Sequence, residues 1–462
     1  MKSRRLWSIL GLISILAAIS SLTCCAPAGD TVRVGLVRFY RGAQSVTVSS
    51  SSGITLTNAN GQELVSCEPG VSVTLSAEGG AVTVRSGLEV QSASGQSVTA
   101  SPGDPASTIR VESLRQPARE YRGAIEVRPK PWGLLVVNVV SVEDYLLGVV
   151  PEEMPSGYPI EAINAQAVTA RTYALSNHSK HASDGYDLCD TNNCQTYGGV
   201  SAEKPSSTEA VNATRGLVLT YGGKVASVMY STDCGGATQD CSETRPTSKL
   251  PYLCSVTEPA EMPHCSWEAA FSIQDLQDKL VAAGVKQAAG LTSIKVSKTG
   301  ASGRAIEFEV KGSQGAATVT GLKLRAALGM SVIKSLLLTI EQTPDGGVVF
   351  RGKGFGHGVG LCQAGARWLA SPPRNNTYDQ ILAHYFPGTE IAIGAKHSDS
   401  ALSEQRKPDH LNASPLQTVR QSPTATDQRK VEVKPAPSTL PKKPDGRGGV
   451  TFDVRLDASD GL

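Results

Sequence analysis

The sequence predicts an α+β protein that begins with a β-rich module and ends in a disordered tail. Short runs rich in Val, Ile and Thr, separated by Gly, Asn and Ser, fill residues 31–115 and are typical of β-strands. From residue 121 onward, strand-like and helical runs intermingle without a regular alternation, which favours an α+β fold. Residues 396–462 are rich in Pro, Ser and Lys and nearly free of aromatic residues, so we expect them to be disordered.

The 462 residues are enough for two or three domains. We predict a signal peptide at residues 1–28, the β-rich module at 29–120, the main domain at 121–395 and the tail at 396–462. With 44 basic and 42 acidic residues the net charge is +2. This charge gives no bulk electrostatic reason to expect binding to nucleic acid or to an anionic membrane surface.

The first 28 residues have the pattern of a secretory signal peptide. Basic residues precede an apolar run at residues 6–22, and small residues follow it. The run is short for a membrane span of about 20 residues, so we expect it to be removed on export. Two processing routes remain open: lipidation of Cys25, which would anchor the chain to a membrane, and ordinary cleavage after Ala-Pro-Ala at residues 26–28.

The main domain is predicted to alternate irregularly between strands and helices. GAIEV and LLVVNVV resemble strands, and SVEDYLLGVV resembles a passage from strand to helix. Pro159 then opens a helix that continues to about Lys180, since proline is tolerated at the first helical position. Further helices are predicted in SIQDLQDKLVAAG, GLKLRAALG and YDQILAHYF, and a strand, a glycine-rich loop and a helix in GVVFRGKGFGHGVGLCQAGARWLA.

Eight cysteines lie beyond the predicted signal, and in an oxidising compartment most of them could pair. Cys189 and Cys194 follow His178 and His181 in the spacing H-x2-H-x7-C-x4-C, which is not that of a standard zinc finger. A Cys189–Cys194 disulfide, a zinc site that adds His181, and free thiols all remain open. The eight are Cys67, Cys189, Cys194, Cys234, Cys241, Cys254, Cys265 and Cys362.

Two adjacent glutamates, Glu152 and Glu153, stand between an apolar segment and a Met-Pro corner. Apolar surroundings disfavour the charged form of a carboxyl group and raise its pKa. Such a group can donate a proton near neutral pH, which is what cleavage of a glycosidic bond requires. A glutamate before a helix can equally be solvated or face the helix dipole.

Arg171 lies in an otherwise small and apolar helical run, on the same face as Asn164 and His178. An arginine on an apolar helix face needs a fixed acidic partner or an anionic ligand. Both interpretations of Arg171 remain open at this stage.

The segment GFGHGVG follows a predicted strand and precedes a predicted helix. Its glycine spacing does not fit a dinucleotide-binding turn, and no Walker lysine follows. The glycines suit a tight bend and the close approach of a sugar chain. His357 is either a hydrogen-bond donor that lines a cleft or a structural histidine.

Residues 142–175 resemble the signature of the sporulation stage II protein D family (SpoIID/LytB): E-D-Y-L-x-G-V-V, then E-M-P, then a helix that ends in A-R-T-Y-A. Further blocks agree in order, and the resemblance covers roughly residues 121–395. These blocks are CQTYGG (194–199), YSTDCGGATQD (230–240), GLKLRAALG (321–329) and GFGHGVGLCQAGA (354–366).

The resemblance implies a lytic activity on the glycan strands of peptidoglycan, without a cofactor, in which Glu153 of the E-M-P motif is the catalytic acid and base. Arg171 would orient Glu153 or bind a substrate carboxylate. Two positions depart from the family pattern: Asn164 replaces a lysine, and Cys362 replaces a serine. The residues we expect to bind substrate are Tyr145, Gln166, Arg171, His357 and Gln363.

Three functions in the cell envelope remain open for an exported chain of this family. The first is a lytic transglycosylase that trims glycan strands, including strands stripped of peptides by an amidase. The second is a non-catalytic enhancer that binds the wall and stimulates an N-acetylmuramoyl-L-alanine amidase. The third is a structural, wall-binding lipoprotein. Retention of Glu153 within E-M-P favours the first, and neither nucleic acid nor a metal is predicted as a partner.

Overall fold

The computed structural model describes residues 31–394, apart from residues 88, 94–96, 115, 245–249 and 345. The predicted signal peptide with Cys25 and the predicted tail therefore lie outside the described residues. Strands and helices both occur throughout the described part of the chain, which confirms the α+β prediction.

The strands of residues 31–141, together with one short strand at residues 188–189, form two sheets with strand orders β13-β1-β12-β11-β8-β3-β4 and β10-β9-β2-β5-β6-β7. These strands are β1 (Thr31–Gly35), β2 (Ser45–Ser49), β3 (Ile54–Asn58), β4 (Glu63–Cys67), β5 (Val73–Glu78), β6 (Ala81–Ser86), β7 (Glu89–Ala93), β8 (Val98–Pro102), β9 (Ile109–Ser113), β10 (Gln116–Tyr121), β11 (Ala124–Lys130), β12 (Gly133–Ser141) and the short β13 (Leu188–Cys189).

Alternating side chains pack the inner faces of these two sheets. In β2, Val46 and Val48 are buried while their neighbours are half-buried, as expected for a strand with one face on a core. β11 pairs with both β8 and β12. Strands on both sides of the predicted boundary between residues 120 and 121 therefore share one of the two sheets, while the other sheet consists of strands from residues 45–121.

Most helices of the described residues lie in predicted segments, whereas those at residues 37–40, 205–213 and 241–244 were not predicted. The long predicted helix begins one residue after Pro159, which is its N-cap, and ends at Ser176 rather than Lys180. The helices are α1 (Val37–Tyr40), α2 (Val142–Glu153), α3 (Ile160–Ser176), α4 (Pro205–Ala213), α5 (Cys241–Thr244), α6 (Ile273–Ala282), α7 (Gly321–Leu328), α8 (Gln363–Ala370) and α9 (Tyr378–Tyr385).

Helix α3 is the centre of the main domain, because it packs against α2, α4, α8 and α9. Small residues such as Ala167 and Ala170 are fully buried along it and let neighbouring helices approach. Helix α2 follows β12 without a loop, and Ser141 caps it by accepting the backbone N–H of Asp144 at 3.1 Å.

The later strands form small sheets with orders β15-β14-β24, β16-β23, β17-β22-β21 and β18-β19-β20. They are β14 (Leu217–Tyr221), β15 (Lys224–Val225), β16 (Tyr230–Ser231), β17 (Ser266–Phe271), β18 (Ser293–Thr299), β19 (Ala305–Gly312), β20 (Gly315–Thr320), β21 (Leu338–Gln342), β22 (Val348–Lys353), β23 (Leu361–Cys362) and β24 (Glu390–Ile393).

Residues 266–353 have a hydrophobic core of their own, which the sequence did not predict. Leu276, Phe308, Leu324 and Phe350 are fully buried in it, and it is separate from the large core around α3. Within the described residues, none of the helices has the length and apolar character that crossing a membrane requires.

Candidate functional site

Glu153 is the last residue of α2, and the Met-Pro pair that follows it ends the helix. Met154 adopts an extended backbone because a residue that precedes proline is kept out of the helical region. Its side chain is fully buried and anchors the corner. Glu153 itself is half-buried, so its carboxyl group stands between the protein interior and solvent.

The carboxyl group of Glu153 is held in one orientation. The backbone N–H of Thr196 donates to Oε1 at 2.6 Å, and the hydroxyl group of Tyr230 also interacts with the carboxyl group. Burial raises the pKa of Glu153 above its usual value, the bonds from Thr196 and Tyr230 lower it, and the charge of Glu152 raises it. Burial outweighs the hydrogen bonds, so the protonated acid is favoured more than in a solvated glutamate.

The two adjacent glutamates differ in environment. Glu152 has a side chain that is 33% exposed and pairs with Arg38, whose Nη1 lies 3.5 Å from Oε2. Glu153 has no such cation among the causes that set its pKa. The two neighbouring carboxyl groups therefore differ: Glu153 is the more buried, and Glu152 lies beside a cation near the surface.

A buried hydrogen-bond network of amides and tyrosines lies behind Glu153. Gln195 donates to the hydroxyl oxygen of Tyr230 at 3.1 Å and accepts from the hydroxyl group of Tyr145 at 3.5 Å. Gln363 donates to the backbone carbonyl of Glu153 at 2.9 Å and to Oε1 of Gln166 at 3.3 Å. These contacts connect α2, α3, α8 and the 194–199 loop around one carboxyl group.

Three of the residues predicted to bind substrate lie inside the protein rather than on its surface. Tyr145 and Gln166 are fully buried and Gln363 is 5% exposed, so they support Glu153 from behind rather than offering a surface to a ligand. Gln195 and Thr196 were not singled out from the sequence. Their only signal was membership of the block CQTYGG.

Arg171 does not face the site. It is 1% exposed and donates from Nε and Nη2 to the two carboxylate oxygens of Glu143, both at 2.8 Å. Its remaining hydrogen bonds go to backbone carbonyls of Val211 and Leu217 and to the hydroxyl group of Thr214. The substrate-binding assignment of Arg171 is therefore corrected: its partner is an acidic side chain, which was the first of the two open interpretations.

Gly148 has a steric role next to the site. A Cβ atom at this position would lie 2.7 Å from a ring carbon of Tyr197 and 2.9 Å from the carbonyl oxygen of Gly199. Only glycine lets α2 approach the 194–199 loop this closely. The glycine of the block E-D-Y-L-x-G-V-V thus brings Thr196 within reach of Glu153.

The glycine-rich segment makes close backbone contacts in this structure. Gly360 has a φ of +75°, and a Cβ atom there would lie 2.1 Å from the carbonyl oxygen of Met229. His357 is half-buried and accepts the backbone N–H of Val359 at its Nδ1, at 3.0 Å. Its role as a donor to a ligand stays a prediction.

His181, Cys189 and Cys194 form a cluster whose ligand atoms all lie within 4.8 Å of one another. Nε2 of His181 is 3.3 Å from Sγ of Cys194. Hydrogen bonding from Cys194, and then from His181, lowers the pKa of Cys189 to about 3 despite its burial. His178 instead pairs with Asp187 at 3.2 Å. The donor set fits zinc, and the adjacent sulfurs also suit a disulfide, so both interpretations stay open.

Two parts of the chain match known protein families. The family described as stage II sporulation protein (SpoIID) matches residues 132–221, which contain α2 and α3. A second match, to a domain of unknown function (DUF8618), covers residues 248–360 and with them the separate second core.

Three relatives are similar to the chain. An uncharacterized protein of Brachyspira hyodysenteriae is 35% identical over 59% of this chain and 72% of its own length. The stage II sporulation protein D of Bacillus amyloliquefaciens is 31% identical over 69% of this chain and 92% of its own length. The amidase enhancer of Bacillus subtilis is 29% identical over 53% of this chain, but the match spans only 40% of that protein.

The fold and the site define an α+β protein in which the half-buried carboxyl group of Glu153 is held at the end of a helix, where a Met-Pro pair follows it. The chain belongs to the stage II sporulation protein D family.

Proposed function

We propose that this chain cleaves the glycan strands of peptidoglycan as a lytic transglycosylase, with Glu153 as the acid and base. The observation that carries the proposal is the environment of Glu153: its carboxyl group is half-buried, fixed through Oε1 by the N–H of Thr196 at 2.6 Å, and raised in pKa by burial. Membership of the family supports it, since relatives are named stage II sporulation protein D.

One carboxyl group is sufficient for this chemistry. Glu153 protonates the glycosidic oxygen as its bond to the anomeric carbon breaks, and the bonding electrons stay with that oxygen. The Glu153 carboxylate then accepts the proton of the sugar's own C6 hydroxyl group while that oxygen bonds to the anomeric carbon. The product is a 1,6-anhydro sugar, and Glu153 is protonated again. This differs from the two-carboxylate scheme of most glycosidases.

The surrounding residues contribute position rather than chemistry. Thr196 and Tyr230 orient the carboxyl group, and Gln363 holds the backbone carbonyl of the same residue. A fixed acid loses less entropy when it reaches the geometry for proton transfer. Glu152 pairs with Arg38 and is not assigned a part in the reaction.

A second function, stimulation of a cell-wall amidase, is favoured by the similarity to a protein named amidase enhancer. In that case the chain would bind the wall and the amidase, and Glu153 would not be needed for chemistry. The chain covers less than half of that relative, so the similarity alone does not carry the activity over.

Both functions require the chain to reach the wall. We propose export through the signal peptide predicted at residues 1–28, with a lipid on Cys25 as the membrane anchor. Incorporation of a fatty-acid analogue into the wild-type chain but not into Cys25→Ser would support this route. A soluble, unlabelled chain that begins at Gly29 would contradict it.

The experiment that tests the proposed activity is incubation of the purified chain with glycan strands that an amidase has stripped of peptides. Mass spectrometry of the products should show shortened strands that end in 1,6-anhydro sugars. Products with reducing ends would mean that water, not the C6 hydroxyl group, completes the reaction.

A further inference from the structure

A second cluster of sulfur and carboxylate groups lies at the start of α8, apart from the cluster around Cys189. Cys234 is in the loop after β16, Cys362 is the last residue of β23, and Glu258 precedes β17. Cys234 and Cys362 are fully buried and Glu258 is 4% exposed. One sulfur or oxygen atom of each lies within 4.8 Å of the other two.

Backbone N–H groups point at one of the two sulfur atoms. Sγ of Cys362 accepts the backbone N–H groups of Cys234 at 3.2 Å and of Gly365 at 3.3 Å. Sγ of Cys234 lies 3.6 Å from Oε1 of Glu258.

Only one of the two carboxylate oxygens of Glu258 has a hydrogen-bond partner among the described residues. The hydroxyl group of Tyr385 donates to Oε1 at 2.6 Å, while Oε2 is buried and has no hydrogen-bond partner among the described residues. The nearest described nitrogen in an ion-pair position is Nε2 of His384, 3.6 Å away, and it too is buried without a hydrogen bond. A buried carboxylate oxygen without a hydrogen bond is costly unless a cation lies against it.

A buried cation already stands beside the sulfurs. Arg304 is 1% exposed, and its described hydrogen bonds go to the backbone carbonyls of Cys234 and Ala237. Burial lowers the pKa of Arg304, and the charges of Cys234 and Cys362 act against that. A dication, two thiolates, one carboxylate and this guanidinium group together carry no net charge.

We propose that Cys234, Cys362 and Glu258 bind a zinc ion. Two buried sulfurs and a carboxylate oxygen are ligand types that zinc takes in proteins. Tyr385 orients the carboxylate in the way that outer partners of zinc ligands do. Binding releases the two thiol protons.

Zinc accounts for the cluster better than a disulfide. A disulfide between Cys234 and Cys362 would satisfy the two sulfurs but would leave Oε2 of Glu258 without a hydrogen bond among the described residues. A zinc ion contacts both sulfurs and the carboxylate together.

A zinc ion at this site would also hold in place two segments that contact Glu153. Leu361 pairs with Tyr230 between β23 and β16, and Gln363, next to Cys362, donates to the carbonyl of Glu153 at 2.9 Å. Zinc at Cys362 would therefore fix two segments that position the candidate acid. The inference does not depend on the proposed lytic activity.

The test uses the full chain with Cys189→Ser and Cys194→Ser, so that the other cysteine cluster cannot bind metal. The chain is purified without chelators, and its zinc content is measured by inductively coupled plasma mass spectrometry. We expect one zinc ion per chain, with a loss of at least about tenfold when Cys362→Ser is added. Tyr385→Phe should weaken zinc binding about 10-fold or more, as loss of an outer partner does. Cys67→Ser, in β4, is the matched control and should keep the metal.

A measurement without changes in the cluster covers the case in which Cys362→Ser does not fold. Cobalt loaded into the same background should show the absorption of thiolate-to-metal charge transfer. Absence of both zinc and this absorption would overturn the proposal. In that event, peptide mass spectrometry would identify either a Cys234–Cys362 disulfide or two alkylated thiols, and zinc retained by Cys362→Ser would overturn it equally.

Discussion

Arg171 and Glu143 form a buried, two-bonded ion pair that joins the middle of α3 to the start of α2, with both N–O distances at 2.8 Å. Oε1 of Glu143 also accepts the backbone N–H of Gly216 at 3.1 Å. The pair thus holds α2, α3 and the segment before β14 together. It therefore holds α2 in the position at which Glu153 contacts the 194–199 loop.

Arg171→Met should destabilise the chain strongly, because it leaves the carboxylate of Glu143 buried without its cation. Removal of one partner of a buried pair costs about 3–5 kcal/mol. Urea unfolding followed by circular dichroism measures the loss. The matched control is Arg351→Met, which removes an arginine that pairs with Glu268 on an exposed surface. It should change the unfolding midpoint little, and an equally small change for Arg171→Met would contradict the structural role.

Gly148→Ala should lower both the melting temperature and the activity. The new Cβ atom would overlap the ring of Tyr197, 2.7 Å away, and overpacking of this kind costs about 1–3 kcal/mol. It would also push the loop that carries Thr196 away from Glu153. In the control Gly157→Ala, nothing lies within 4 Å of the added atom, so stability should be kept. Equal behaviour of the two variants would show that the close approach does not matter.

Glu153→Gln should stabilise the fold near neutral pH and not near pH 4. The folded chain raises the pKa of Glu153, so it holds a proton that the unfolded chain releases above about pH 4. The wild type therefore loses stability as the pH rises from there to the raised pKa, and the loss persists above it. Glutamine has no proton to lose. Melting curves across this pH range measure the difference between the two proteins, and a gain that is independent of pH would refute the assignment.

Cys189 and Cys194 should be linked to each other or bound to zinc, since their sulfurs and Nε2 of His181 lie within 4.8 Å of one another. Alkylation of the denatured, unreduced chain, combined with peptide mapping and metal analysis, separates the two cases. Cys254, which is half-buried outside both clusters, is the internal reference for a reactive thiol. Full alkylation of Cys189 and Cys194 in a zinc-free chain would contradict both interpretations.

Local sequence patterns predicted most of the longer helices. The pairs of residues that the sequence did not predict are contacts between distant parts of the chain. The predicted helices at SIQDLQDKLVAAG and YDQILAHYF correspond to α6 and α9, because apolar spacing and caps are local properties. The acidic partner of Arg171 lies 28 residues away, and the N–H that holds Glu153 lies 43 residues away. No local pattern specifies such pairs.

The same reason limits what the sequence can say about the organisation of the chain. The boundary placed at residue 121 followed a change in residue composition, whereas β11 pairs with β8 across it. The burial of Tyr145 and Gln166 depends on α8, which contributes Gln363 from about 200 residues further along the chain. The sequence motifs included Tyr145 and Gln166, but they did not indicate that these side chains are buried.

Comparison of wild type, Glu153→Gln and Glu152→Gln on denuded glycan strands tests the central claim most directly. The glutamine at position 153 keeps the size of the side chain and can still accept the N–H of Thr196, but it cannot donate the proton. Cleavage to 1,6-anhydro ends should fall on the order of 10²-fold or more for Glu153→Gln and far less for Glu152→Gln, while both variants still bind the strands. No cleavage by the wild type, together with equal stimulation of a cell-wall amidase by wild type and Glu153→Gln, would contradict the account and favour the enhancer function.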